Sequence, residues 1–238
     1  MVKNTSPHPE EVHRSDRSNW LRAAVLGVDD GIVSTSSIML GLTAANADYK
    51  IILTTGIASL VAGAFSMAAG EYVSVASQKD AQRADIEIEK RALKNNPEGE
   101  LAELAGIYES RGLDPKLAKE VAIQLQNNDA IDAHARDELG ITSHMKVNPF
   151  QASATSALAF ALGSLVPILA AIFANTNTSG NGATLIVIVS LIALAISGLI
   201  GALIGGGNRI VAALRVFVGG GVAMAVTYFI GHLVGSNL

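Results

Sequence analysis

The chain has 238 residues, half of them hydrophobic and only 16% charged, with a formal net charge of −4 and a mean hydropathy of +0.38. A soluble domain carries about 25% charged residues, so this composition predicts an all-α polytopic membrane protein set in a lipid bilayer. There is no cysteine, hence no disulfide framework and no thiolate metal site, and a pI near 5.7 without a basic, aromatic-interleaved patch argues against nucleic acid as a partner.

In chain order, residues 1–20 are polar and lack the apolar core of a signal peptide. They are expected to form a cytoplasmic tail, with His8 and His13 in no ligand role. The apolar segments 21–45 and 51–76 are each long enough to cross the hydrocarbon core, which takes about 20 residues. Residues 77–148 differ in character, with fourteen acidic and ten basic side chains and helical periodicity. The second span is expected to run on as a charged helix to about Lys94 and to break at Asn95-Asn96-Pro97, with Pro97 suited to a first helical position. A second helix, 99–110, should stop at Arg111-Gly112, where glycine suits a left-handed cap. Asp114-Pro115 reads as the start of a third, bent at Asn127-Asn128 and ended before Gly140. These three helices are expected to form a small acidic domain inserted between the second and third spans.

His144 and Met145 read as an ordinary junction. No Asp, Glu, Lys or Arg occurs between Lys146 and Arg209, and that stretch holds spans 150–174, expected to kink at Pro167, and 183–206, separated by a polar loop. The last span, 209–235, has its apolar run interrupted by Arg215 and by Gly219-Gly220-Gly221. Glycines such as Gly198, Gly201 and Gly205 are expected to let helices approach closely. The expected division is therefore a tail (1–20), two spans (21–76), an acidic helical domain (77–148) and three spans (149–238).

Lys and Arg are biased to cytoplasmic loops. With the N-terminus in the cytoplasm, sixteen of the seventeen Lys and Arg lie on that side. Only Lys50 faces the other, where the C-terminus is also placed.

Charges at membrane depth cost several kcal/mol and usually line an ion path. Asp29 and Asp30 lie in the first span and Glu71 in the second. Asp30 is nine residues from the start of its span, and Met67 nine from the end of the next. At 1.5 Å per residue both sit roughly 13 Å deep, near the middle of a core about 30 Å thick. Glu71 shares a helix face with Met67, and Asp30, Ser34, Ser37 and Gly41 form one polar or small stripe. Two carboxylates, a thioether and hydroxyls suit a partly dehydrated divalent metal, the thioether tolerating iron and its neighbours. Against this, a transmembrane methionine often only packs, Glu71 can pair with Tyr72 or Arg22, and Asp29, rotated about 100° from Asp30, can bond a neighbouring helix.

The stretches NWLRAAVLGVDDGIVSTSSIMLG, GAFSMAAGEYVSVASQKD, GLDPKLAKEVA, HARDELGI and NPFQASATSALAFALGSLVPI resemble the vacuolar iron transporter family, from about His13 onward. The resemblance implies a homodimer of five-span subunits exporting ferrous iron, and often manganese, from the cytosol in exchange for protons. It matches Asp30 and Met67 to pathway ligands and places Glu71 in the same motif. It also implies that the acidic domain binds metal, through Glu89, Glu100, Glu103 and Glu138. His134 stands where some members carry methionine, and one turn before Glu138 it makes an imidazole–carboxylate pair suited to a transition metal, so it joins the expected metal ligands. Ala92 falls on a position that is usually acidic. No prosthetic group is expected; the divalent metal is both substrate and ligand of the acidic domain.

Any one of these glutamates reads equally well as part of a solvated helix face. The alternative to exchange is a divalent-cation channel gated by the acidic domain. A membrane diiron oxidase would need paired Glu-x-x-His motifs, which the sequence lacks, so no enzymatic role is expected. The expected location is a prokaryotic plasma membrane, with a vacuolar membrane as the alternative.

Overall fold

The structure, a computed structural model, describes residues 18–141, 148–177 and 182–236. Most of the N-terminal tail, with His8 and His13, and the junction with His144 and Met145 lie outside the described residues. Seven helices follow in order: α1 (Ser18–Ala44), α2 (Tyr49–Asn95), α3 (Pro97–Ser110), α4 (Pro115–Asp137), α5 (Pro149–Asn177), α6 (Gly182–Gly205) and α7 (Arg209–Gly235). Helices α1, α2, α5, α6 and α7 are long and apolar enough to cross a membrane, and the described residues contain no strand. The chain divides into two compact units, Val73–Pro149 and the remainder on either side of it.

In the larger unit α1 is the central helix. Lipid is as apolar as leucine, so helices associate there by close packing of small residues. A Cβ on Gly31 would run into the Phe160 carbonyl, and one on Gly163 into the Val28 carbonyl, so α1 and α5 cross almost backbone to backbone. Buried hydroxyls secure the crossing: Thr35 donates to Ser164 Oγ at 3.0 Å, and Ser164 to the Gly31 carbonyl at 3.3 Å. Val25 meets Gly201 and Val33 lies beside Leu194, so α6 runs antiparallel to α1. Ile32, Met39, Leu40, Ile168, Leu194 and Met224 fill the core between these helices.

The apolar run of the last span is broken by Arg215 and the glycine triplet, but α7 itself is continuous. Gly220 has a packing reason, because Leu194 of α6 occupies the space a side chain would need. Helix α5 likewise continues through Pro167, which is fully buried. Helix α2 is the outlying span, with 6% of its most apolar stretch buried against 50% for α1 and α5. It is tied to α5 by the Ser153 hydroxyl donating to the Ala68 carbonyl at 2.8 Å and by the Tyr72 and Phe150 rings, 5.1 Å apart.

The Val73–Pro149 unit holds the polar end of α2 with α3 and α4. Asn96 caps α3 by accepting from Gly99 N–H, with Pro97 at the first turn. Gly112 takes the expected left-handed conformation, φ +98°, and Asp114 caps α4 by accepting from Lys116 N–H. Leu104 and Ala105 of α3 pack against Ala122 and Ala133 of α4.

Helix α4 cannot be straight. Both of its ends lie near the C-terminal end of α3: Pro115 follows by a short turn, and Asp137 bonds Tyr108 and Arg111. A straight helix of this length would span roughly 33 Å. The chain instead turns back at Asp129, whose backbone is extended (φ −160°, ψ 99°). The side chain of Asp129 then caps the returning segment by accepting from Asp132 N–H at 3.0 Å. The expected bend at Asn127-Asn128 thus falls one residue later, at the residue able to cap.

Candidate metal centre

Four side chains converge in the Val73–Pro149 unit. Glu89 comes from α2, Glu100 from the first turn of α3, His134 from the returning segment of α4, and Glu138 from the cap of that segment. One ligand-type atom from each lies within 4.8 Å of all the others. His134 is wholly buried, and its Nδ1 stands 3.0 Å from Glu89 Oε1, 3.1 Å from Glu138 Oε2 and 3.9 Å from Glu100 Oε2. Only Glu138 has hydrogen-bond geometry toward it. Glu89 Oε1 is close but off the bond line, so it has no hydrogen-bond partner, and neither has His134 Nε2.

Two unit negative charges 4.8 Å apart repel by roughly 3.5 kcal/mol at an effective dielectric of about 20. Burial pushes the Glu89 carboxyl above its ordinary value; the charge of Glu138 adds to this, His134 opposes it, and Glu100 and Glu103 contribute smaller upward pushes. A divalent cation would remove the repulsion and occupy the orphaned oxygen. One imidazole nitrogen with three carboxylates is a donor set for first-row transition metals, where carboxylates alone would suit magnesium or calcium. The residues present therefore fit a metal ion.

Glu103 is exposed and lies outside this group of four, acting on Glu89 only through its charge. Ala92, half-buried on α2, brings no donor.

In the membrane helices, Asp30 accepts a hydrogen bond from Ser34 at 2.6 Å, and both are half-buried. Met67 and Glu71 are also half-buried, one turn apart on α2. Among the described residues no hydrogen bond or ion pair joins the α1 pair to the α2 pair. Further along α1 the polar stripe turns inward: Ser37 is buried without a partner, and Gly41 packs against Thr227 of α7 and beneath Gly231. Gly41 therefore belongs to a helix crossing. Asp29 is half-buried like Asp30 but lies near Ser197 of α6, and its Oδ1 is buried without a hydrogen-bond partner.

One arrangement carried no signal in the sequence. Asp137 lies between His134 and Glu138, yet both its oxygens are held by Tyr108, Arg111 and Arg136. Partial burial would raise its carboxyl; the hydrogen bonds from Arg111, Arg136 and Tyr108 outweigh burial and lower it to about 2.

Residues 21–232 match the VIT family. The chain is 46% identical over 225 residues to "Vacuolar iron transporter" of Acanthamoeba castellanii, covering 94% of this chain and 82% of that protein. It is 40% identical over 223 residues to "Vacuolar iron transporter homolog 3" of Arabidopsis thaliana, covering 94% and 87%. Against "Vacuolar iron transporter homolog 2" of Oryza sativa subsp. japonica the identity is 36% over 217 residues, covering 91% and 92%. This chain belongs to the VIT family.

Proposed function

We propose that this protein is a secondary transporter that exports ferrous iron or manganese from the cytosol in exchange for protons, with no enzymatic step and no prosthetic group. The observation that carries the reading is a transition-metal donor set, Glu89, Glu100, His134 and Glu138, in a chain with five membrane-spanning helices. Relatives named as vacuolar iron transporters support the same cargo. The acidic unit lies in the cytoplasm, as the Lys and Arg asymmetry favours, and collects metal there. Asp30, with Ser34 holding its carboxylate, then receives the ion alongside Met67 and Glu71. Reprotonation of pathway carboxylates from the far side releases it and returns protons to the cytosol. The same topology serves a prokaryotic plasma membrane or a vacuolar one.

The working unit is a homodimer. Helix α2 buries little of its span within one subunit, leaving Ile57, Val61 and Phe65 exposed, and a two-fold axis beside α2 would double the ligand count of the path. Purified protein in liposomes, scanned against iron, manganese, cobalt, zinc and calcium, tests the cargo. Uptake of iron and manganese above calcium is expected; equal uptake of calcium would remove the transition-metal assignment.

A further inference from the structure

The returning segment of α4, residues 130–137, carries His134 and leads into Glu138, but it has little of its own to hold it. It is eight residues long, well short of what makes an isolated helix stable in water, and only Ala133, His134 and Ala135 are buried in it. Two alanine methyl groups bury little apolar surface. What fixes this segment is polar and comes from the far end of α3. The Tyr108 hydroxyl donates to Asp137 Oδ2 at 2.7 Å, and Arg111 Nη1 to Asp137 Oδ1 at 2.7 Å. Arg111 Nη2 also donates to the Asp137 backbone carbonyl at 3.0 Å, so one guanidinium holds both side chain and main chain. The same guanidinium lies 5.3 Å from the centroid of the Tyr108 ring, which limits its freedom to swing away.

Helix α3 thus carries a ligand at one end, Glu100, and the tie at the other, Tyr108 and Arg111. We infer that Tyr108, Arg111 and Asp137 are positioning residues for the metal centre. By fixing the end of the returning segment to α3, they set how far His134 and Glu138 stand from Glu100. Asp137, although acidic and next to Glu138, is not a ligand, because its oxygens are already taken by three donors. The four centre residues can meet only while the segment stays folded back. A loosened tie leaves every ligand in the chain but disperses them.

This inference rests on the metal-binding reading of the centre, and the test separates the two. Manganese binding to the full-length protein in detergent is titrated by calorimetry, with cobalt absorption reporting ligand geometry. Glu138→Gln, a direct ligand change, serves as the control. Arg111→Ala and Asp137→Asn should each weaken binding about 10-fold, as loss of groups that orient metal ligands commonly does, with the number of ions unchanged and a shifted cobalt spectrum. Arg111→Lys, which keeps one donor, should recover part of the loss. Tyr108→Phe removes a single hydrogen bond and keeps the ring, so it guards against misfolding in the larger changes; a loss of about 3- to 5-fold is expected. In a Glu138→Gln background, Arg111→Ala should add little, because both act through the same ligand set. Wild-type affinity in Arg111→Ala and Tyr108→Phe, with binding lost in Glu138→Gln, would overturn the positioning role and leave the metal centre standing. Unchanged binding in Glu138→Gln would remove the metal centre and this inference with it.

Discussion

A carboxylate at mid-membrane depth costs stability wherever it sits, so what distinguishes Asp29 from Asp30 is where each side chain goes. Asp29 is half-buried with its Oδ1 buried and without a hydrogen-bond partner, and it lies near Ser197 of α6. Asp30 is held by Ser34 of its own helix, which orients the carboxylate without neutralising it. Asp30→Ala is therefore expected to abolish metal flux while the protein still purifies as a folded particle, and Met67→Ala to change the order of preferred metals. Flux assays over the metal panel check both; near-normal flux in the first, or an unchanged ranking in the second, would remove these residues from the path. Sequence spacing already sets the two side chains about 100° apart on α1. It was not enough to see that Ser37 and Gly41 turn inward, because a small or hydroxyl residue serves a pathway and a helix crossing equally well.

Among the elements, α4 carries the most consequence. Its start at Asp114-Pro115 and the start of α3 at Asn96-Pro97 are written locally, as caps whose side chains accept from the first turn. Its reversal at Asp129 is not, because an aspartate in a polar helical run looks like any solvated residue until the Arg111–Asp137 tie shows that the chain must come back. Asp129→Ala should remove the cap of the returning segment at a cost of about 1 kcal/mol. A lower melting temperature together with weaker manganese binding is the expected outcome. A loss of stability with unchanged binding would mean that the reversal does not position the ligands.

The centre built on these elements also has a signed pH dependence. Burial, with the charge of Glu138 second, raises the Glu89 carboxyl above its ordinary 4.5. In the metal-free protein a group shifted this way stabilises the fold below its unfolded value, and that contribution is lost as pH rises through the raised one. Metal needs Glu89 ionised, so manganese should raise the melting temperature at neutral pH and progressively less as pH falls through the raised range. The Arg111–Asp137 tie acts oppositely. With Asp137 lowered from 3.8 to about 2, its contribution is full above 3.8 and is lost only as pH falls toward 2. Loss of metal binding on mild acidification should therefore precede loss of the fold. Melting curves with and without manganese across pH check this order, and simultaneous loss of both would contradict it.

For the whole molecule, composition and the spacing of apolar runs were sufficient to read five membrane helices and a continuous α2, because a bilayer imposes length and hydrophobicity on each span separately. Of the centre, the His134–Glu138 pair was legible from its i, i+4 spacing. Its gathering with Glu89 and Glu100 was implied by the resemblance, since those residues meet it through the reversal of α4 and not through local spacing. In the function we propose, the acidic centre and Asp30 are joined by vectorial exchange of metal for protons. The most direct test records manganese entry and proton exit together in liposomes loaded with acid, for the unaltered protein and for Asp30→Ala. Manganese entry that requires the proton gradient, with an opposing proton flux and neither flux in Asp30→Ala, is the expected result; manganese entry indifferent to the gradient, or undiminished in Asp30→Ala, would contradict exchange through Asp30.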